Sequence, residues 1–232
     1  MTFGYNANLS KDTISGRIAE FAENLLADLQ AERAYDETDQ QRPIIFICHS
    51  LGGIVVKRAL SVAHGRPIYN TLLNATRSII FMATPHRGSD KASWGGLAGR
   101  ILGCAKLFTT QTTKLLEELT PFSDILEDYN VDFVNISPTV QIISFFEKEP
   151  YVPIGLIVDE WSAKMEVPSE TAKIAVSANH QNICRFESEE SHEFQTFWRQ
   201  LRLLVFKAVS GGSRRVGETS LATVTAPAEL TG

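Results

Sequence analysis

Apolar residues at Ile14, Ile18, Phe21, Leu25, Leu26 and Leu29 recur in steps of three and four, which places them on one stripe of a helix over 11–33. Ser10 or Asp12 can cap it. The polar stretch 35–42 reads as a linker into Pro43. The pattern then changes: 44–48 and 78–83 are short, continuously apolar runs, as expected of strands buried on both faces of a parallel sheet. Between them, 54–63 has helical character. Small residues open 94–119 before a helical period sets in, 121–133 reads as another helix, and this insertion is expected to lie over the strand ends. Three more candidate strands follow at 140–146, 155–159 and 173–177. A closing helix over 193–208 carries Phe194, Phe197, Leu201 and Leu204 on one stripe. Strand and helix alternate along most of the chain, so residues 1–208 are expected to form one α/β domain, a mostly parallel sheet flanked by helices. Gly, Ser, Thr, Ala and Pro dominate 209–232 without periodicity, which predicts a disordered tail or linker. No internal repeat is present.

Composition narrows the class without naming the chemistry. A chain of 232 residues with 44% hydrophobic and 21% charged residues is that of an ordinary soluble domain. A formal charge of -5 and a pI near 5.6 provide no electrostatic footprint for nucleic acid or an anionic membrane, so neither is an expected partner. Cys48, Cys104 and Cys184 are odd in number and widely spaced, which fits neither a disulfide framework nor a zinc site and points to a reducing compartment. No run approaches the roughly 18 apolar residues of a membrane span, and the first residues lack the basic and apolar regions of a signal peptide. An intracellular location is expected.

The candidate chemistry centres on Ser50. It follows an apolar strand pattern and precedes a helical one, in the order Ile47-Cys48-His49-Ser50-Leu51-Gly52-Gly53. A buried strand that turns abruptly into a helix exposes the Ser at the apex and aims the next backbone N–H, that of Leu51, at a substrate oxygen. The tight bend crowds the positions two before and two after the Ser. Here they are Cys48 and Gly52, so the G-x-S-x-G pattern is met on its second half, with a small Cys in place of the first Gly. Gly53 would let the helix lie close to the sheet.

A serine nucleophile needs a base, and the base needs a carboxylate that fixes its tautomer. His180 lies downstream of both candidate acids and just after a strand, where loops place catalytic groups. Glu147 directly follows the apolar run 142–146 and is the favoured acid; Asp159, at the end of another expected strand, is the alternative. His49 should point away from the nucleophile while lining the pocket. Thr84, Pro85 and His86 follow the strand beside the elbow and are expected to line the same crevice. His86 is a minor alternative base, since it precedes either acid in the chain.

Several motifs together resemble a known family. Gly4-Tyr5-Asn6-Ala7, the run from Pro43 to Gly53, Phe81-Met82-Ala83-Thr84-Pro85-His86-Arg87-Gly88-Ser89, Ser144-Phe145-Phe146-Glu147 and His180-Gln181-Asn182-Ile183-Cys184-Arg185-Phe186 resemble, in that order, the lipase-like α/β-hydrolases of the DUF676 serine esterases and serine active-site-containing proteins. The likeness extends from about residue 3 to 208. It implies an α/β-hydrolase fold, a Ser50–Glu147–His180 triad, no cofactor, and esters, lipids among them, as substrates. It also implies a link to mitochondria or the endoplasmic reticulum, and a fungal type in which the hydrolase is fused to nucleotide-binding or repeat domains. Family members begin with further strands and a His-Gly loop that donates the second oxyanion N–H. The 49 residues before Ser50 leave no room for these, so the chain is expected to be N-terminally truncated, with an exposed sheet edge prone to self-association. The main reading is therefore a serine esterase. Its rivals are a catalytically impaired interaction or sensor module and, on the same triad, a thioesterase or amidase.

Overall fold

Both apolar runs become neighbouring strands. The computed structural model describes residues 1–4, 14–35, 37–87, 99–101 and 126–218. In it β1 (Ile44–His49) runs parallel to β2 (Thr76–Met82), with Ile47 opposite Ile80 and His49 opposite Met82. Strands β3 (Gln141–Glu147) and β4 (Glu170–Val176) continue the sheet in the order β1-β2-β3-β4, every pairing parallel. Parallel pairing brings all C-terminal strand ends to one edge. The site is built there.

Helices cover both faces of β2 and β3, which is why those strands are continuously apolar and buried, whereas β4 alternates, with Thr171, Lys173 and Ala175 exposed. On one face, α1 (Ile14–Glu32) and α3 (Leu51–Gly65) pack Ile18, Leu25, Leu26, Ile54, Val55 and Leu60 against Ile79, Phe81 and Ile142. On the other, a long closing helix, His192–Glu218, sets Phe197, Leu201 and Leu204 against Ile80, Met82, Ile143 and Phe145. Two short helices, α2 (Glu37–Gln41) and α4 (Asn70–Ala75), and a helix α5 over 126–136 complete the described elements; the closing helix is α6.

Several expectations shift. Residues 155–159 are not a strand: Tyr151 and Gly155 form an isolated antiparallel bridge, and Gly155 at φ 95° turns the chain. Ile157 and Val158 nevertheless bury completely in the α1–α3 core. Their apolarity reflects a loop that plugs the core, which short runs do not distinguish from a strand. The polar stretch 35–42 contains α2, and α4 precedes β2 where no element was expected. Helix α6 continues to Glu218, so the tail expected from 209 is helical up to that point. The proposed caps Ser10 and Asp12, the 4–7 motif beyond Gly4, most of the 94–125 insertion and the tail from 219 lie outside the described residues.

Candidate active site

Ser50 occupies the one-residue junction between β1 and α3, with φ 52° and ψ -126°. A side chain there is strained, and such strain persists only where neighbours hold the backbone. They do so on both sides. The Ser50 N–H donates to the Met82 carbonyl at 3.0 Å, while its own carbonyl accepts from the Gly53 N–H at 3.1 Å and from the Thr84 hydroxyl at 3.1 Å. Thr84 can come this close because Gly53 has no side chain: a Cβ at Gly53 would meet Thr84 Oγ1 at 2.3 Å and Phe81 Cδ1 at 2.9 Å. Leu51, the first residue of α3, has an N–H with no intrahelical acceptor, directly after the serine.

The structure brings Ser50, His180 and Glu147 together. His180 Nε2 lies 2.9 Å from Ser50 Oγ, and its Nδ1 lies 3.2 Å from Glu147 Oε1. His180 and Glu147 are buried, and Ser50 is 9% exposed. Glu147 is the last residue of β3, and its Oε1 also accepts the Val158 N–H at 2.5 Å. The buried loop that replaced the expected strand at 155–159 therefore orients the carboxylate. Because a carboxylate only accepts, Nδ1 carries the imidazole proton and Nε2 presents a lone pair to the serine hydroxyl.

Asp159 is placed elsewhere. Its carboxylate accepts from the Ser162 N–H at 2.9 Å and the Ser162 hydroxyl at 3.0 Å, and it lies 3.9 Å from Arg100. It caps a turn and does not reach His180. His49, adjacent to the serine, turns away from the hydroxyl and donates from Nε2 to the His180 main-chain carbonyl at 2.8 Å. Burial, and then the charge of His180, lower its pKa from 6.5 to about 4, so the ring is neutral near pH 7.

Of the loop after β2, Thr84 touches the Ser50 backbone, whereas Pro85 and His86 turn into the core. His86 Nδ1 lies 2.5 Å from Lys57 Nζ, and Lys57 also bonds Asn130 Oδ1 and approaches the Pro85 carbonyl at 3.5 Å. Lys57 has no exposed surface, and burial pushes both its pKa and that of His86 well down. Sequence reasoning missed this cluster: its signal was one Lys inside the apolar run 54–63. It also missed Glu170, buried on β4, which accepts from Ser144 Oγ at 2.6 Å and the backbone N–H of Met165 and Glu166. Among the described residues, no group of three or more His, Cys, Asp or Glu side chains is placed to hold a metal ion. No described helix is long and apolar enough to cross a membrane.

A parallel sheet flanked by helices, with a serine at a strand-to-helix junction and Glu and His at later strand ends, defines an α/β-hydrolase fold. Residues 3–118 match the family described as "Putative serine esterase (DUF676)", and the chain belongs to that family. Among curated relatives, Protein SERAC1 of Mus musculus is 34% identical over 185 residues, covering 77% of this chain and 26% of that protein. The Homo sapiens SERAC1 is 32% identical over the same length and coverage. The chain thus spans about a quarter of the length of these relatives. Among solved structures, the Bacillus licheniformis lipase BlEst2 in mature form aligns with a TM-score of 0.46 at 20% identity, covering 81% of this chain and 74% of that one.

Proposed function

We propose that the protein is a serine hydrolase of carboxylic esters, lipids among them, working through Ser50, His180 and Glu147. The observation that carries this reading is the continuous chain of contacts from Ser50 Oγ through the two ring nitrogens of His180 to Glu147 Oε1. The strained junction at Ser50 acts as a nucleophile elbow. His180 Nε2 takes the hydroxyl proton as Oγ attacks the ester carbonyl carbon, and the Leu51 N–H faces the developing oxyanion. Glu147 stabilises the imidazolium. Collapse of the tetrahedral intermediate breaks the ester C–O bond, and the alcohol leaves with the proton from His180. Water, deprotonated by the same nitrogen, then releases the acid from the acyl-enzyme. The elbow and triad require no cofactor for these steps.

A fluorophosphonate probe tests the reading directly. The wild-type protein should be labelled at Ser50 and should cleave short p-nitrophenyl esters. Ser50→Ala should lose both while keeping its circular dichroism spectrum. A folded wild-type protein that refuses the probe would mark the domain as an interaction module instead.

A further inference from the structure

His180 belongs to β4's trailing loop, whereas Ser50 directly follows β1, three strands away. With strands spaced about 4.8 Å apart, the loop must carry the imidazole back across roughly 14 Å of sheet edge. Backbone bonds within the loop fold it into a turn: the N–H groups of Asn182 and Ile183 both donate to the Asn179 carbonyl at 3.0 Å. Others reach the segment after β3, where the Glu149 N–H donates to the Ala178 carbonyl at 3.2 Å. Two hydrogen bonds of His180 reach the end of β1. One is the Ser50 Oγ–His180 Nε2 bond, which must break and re-form during the reaction described above. The other is the His49–His180 bond, which the chemistry leaves untouched.

We propose that His49 is a positioning residue for the base, its Nε2–H holding the His180 backbone against the strand that carries the nucleophile. This rests on the serine-hydrolase reading. The dipeptide His49-Ser50 then grips one residue twice, His49 by the main-chain carbonyl and Ser50 by the ring. Because β1 side chains alternate, Cys48 goes into the α1–α3 core while His49 emerges on the opposite side, toward the loop. A carbonyl only accepts, so the proton of the neutral His49 ring resides on Nε2. Burial keeps that ring neutral, with its pKa at about 4, so it places no fixed positive charge beside His180, whose ring centroid is 4.9 Å away. A cation at this position would oppose the imidazolium that the reaction forms.

The test compares two side chains of similar reach. His49→Gln keeps an N–H donor near the place of Nε2, and His49→Met does not. We expect His49→Met to lower kcat roughly 10- to 100-fold with KM unchanged, and to slow fluorophosphonate labelling of Ser50 in parallel. His49→Gln should recover most of that loss. Equal labelling and turnover in both variants and the wild type would overturn the positioning role, as would a rise in KM alone. A second measurement needs no variant: in ¹⁵N-labelled wild-type protein at neutral pH, the His49 ring should show the pattern of the Nε2–H tautomer. The Nδ1–H tautomer would refute the bond whatever the variants do. Failure of the underlying reading looks different, since the wild-type protein itself would then refuse the probe.

Discussion

A single methyl group added at position 53 would disturb Ser50 without touching its hydroxyl. The new Cβ would overlap Thr84 Oγ1 and Cγ2, at 2.3 and 2.4 Å, and the Thr84 hydroxyl is what holds the Ser50 carbonyl. Ala is preferred to Gly within a helix by about 1 kcal/mol. Overpacking a tight contact costs about 1–3 kcal/mol. We therefore expect Gly53→Ala to destabilise the protein in urea titration and to lower kcat, because Thr84 must move off the carbonyl that fixes the strained junction. A variant more stable than wild type with full activity would show that the contact is soft. The carboxylate makes a separate prediction. Glu147→Gln preserves the shape of the side chain but offers His180 Nδ1 an amide that can present either a donor or an acceptor. If that weakens the tautomer preference, kcat for p-nitrophenyl esters should fall by up to roughly 10⁴-fold. The analogous change at Asp159, which binds Ser162 and Arg100, should leave turnover near wild type.

Helix α3 carries two kinds of information, and only one was legible in the sequence. Its apolar period and its start after Ser50 could be read from local pattern, as could Glu147 and His180, since strand ends in a parallel sheet converge on one edge. Lys57 could not. A Lys in an apolar run looks like a surface residue until the chain brings Asn130 and His86, 73 and 29 residues away, onto its amine. The same holds for Glu170, whose partner Ser144 comes from another strand, and for Ile157 and Val158, whose apolarity serves a loop. Long-range satisfaction of buried polar groups and core-plugging loops leave no local period. The buried amine has a measurable consequence. Its pKa lies well below 10.5, mainly through burial, so between the two values the unfolded chain binds one more proton than the folded one. This contribution to stability is complete above 10.5 and is lost as pH falls toward the folded value, at up to about 1.4 kcal/mol per pH unit. Lys57→Met removes it. The stability difference between variant and wild type should therefore favour the variant increasingly as pH falls from 10.5, measured by urea unfolding across that range. Taking the difference cancels the opposite trend of Cys184 and Tyr129, whose pKa values burial raises; the raised pKa of Cys48, which the Lys57 charge opposes, cancels only in part. A pH-independent difference would mean that the amine is charged in the fold.

At the scale of the whole molecule, β1, which leads into Ser50, is the outermost of the described strands. Among the described residues no strand pairs with the far side of β1, although parallel sheets are ordinarily covered on both faces and their strands paired within the sheet. Beside β1 lies a groove of about 1050 Å³ lined by Phe3, Leu25, Leu29, Ile45, Ile47 and Val55 among others; His49 and Gly52, which flank Ser50, also line it, whereas Ser50, Glu147 and His180 do not. Ile47 is 50% exposed. Edge strands usually carry a charge, a proline or a bulge that discourages pairing; β1 has Pro43 before it and a register irregularity between Ile44 and Ile45, but from Ile45 to His49 it has no Lys, Glu, Asp or Pro. Burying such an edge against a second copy would satisfy its backbone groups and cover Ile47 at once. We expect the purified chain to self-associate with rising concentration, read by light scattering coupled to size exclusion. Ile47→Lys introduces a charge at the edge and should shift the population to monomer while leaving Ser50, His180 and Glu147 in place. The same experiment links assembly to chemistry. If pairing covers the groove next to Ser50, fluorophosphonate labelling should speed up in the monomeric variant; if pairing leaves the mouth open, the rate should not change. A monodisperse wild-type monomer at high concentration would remove edge pairing from the behaviour of this molecule.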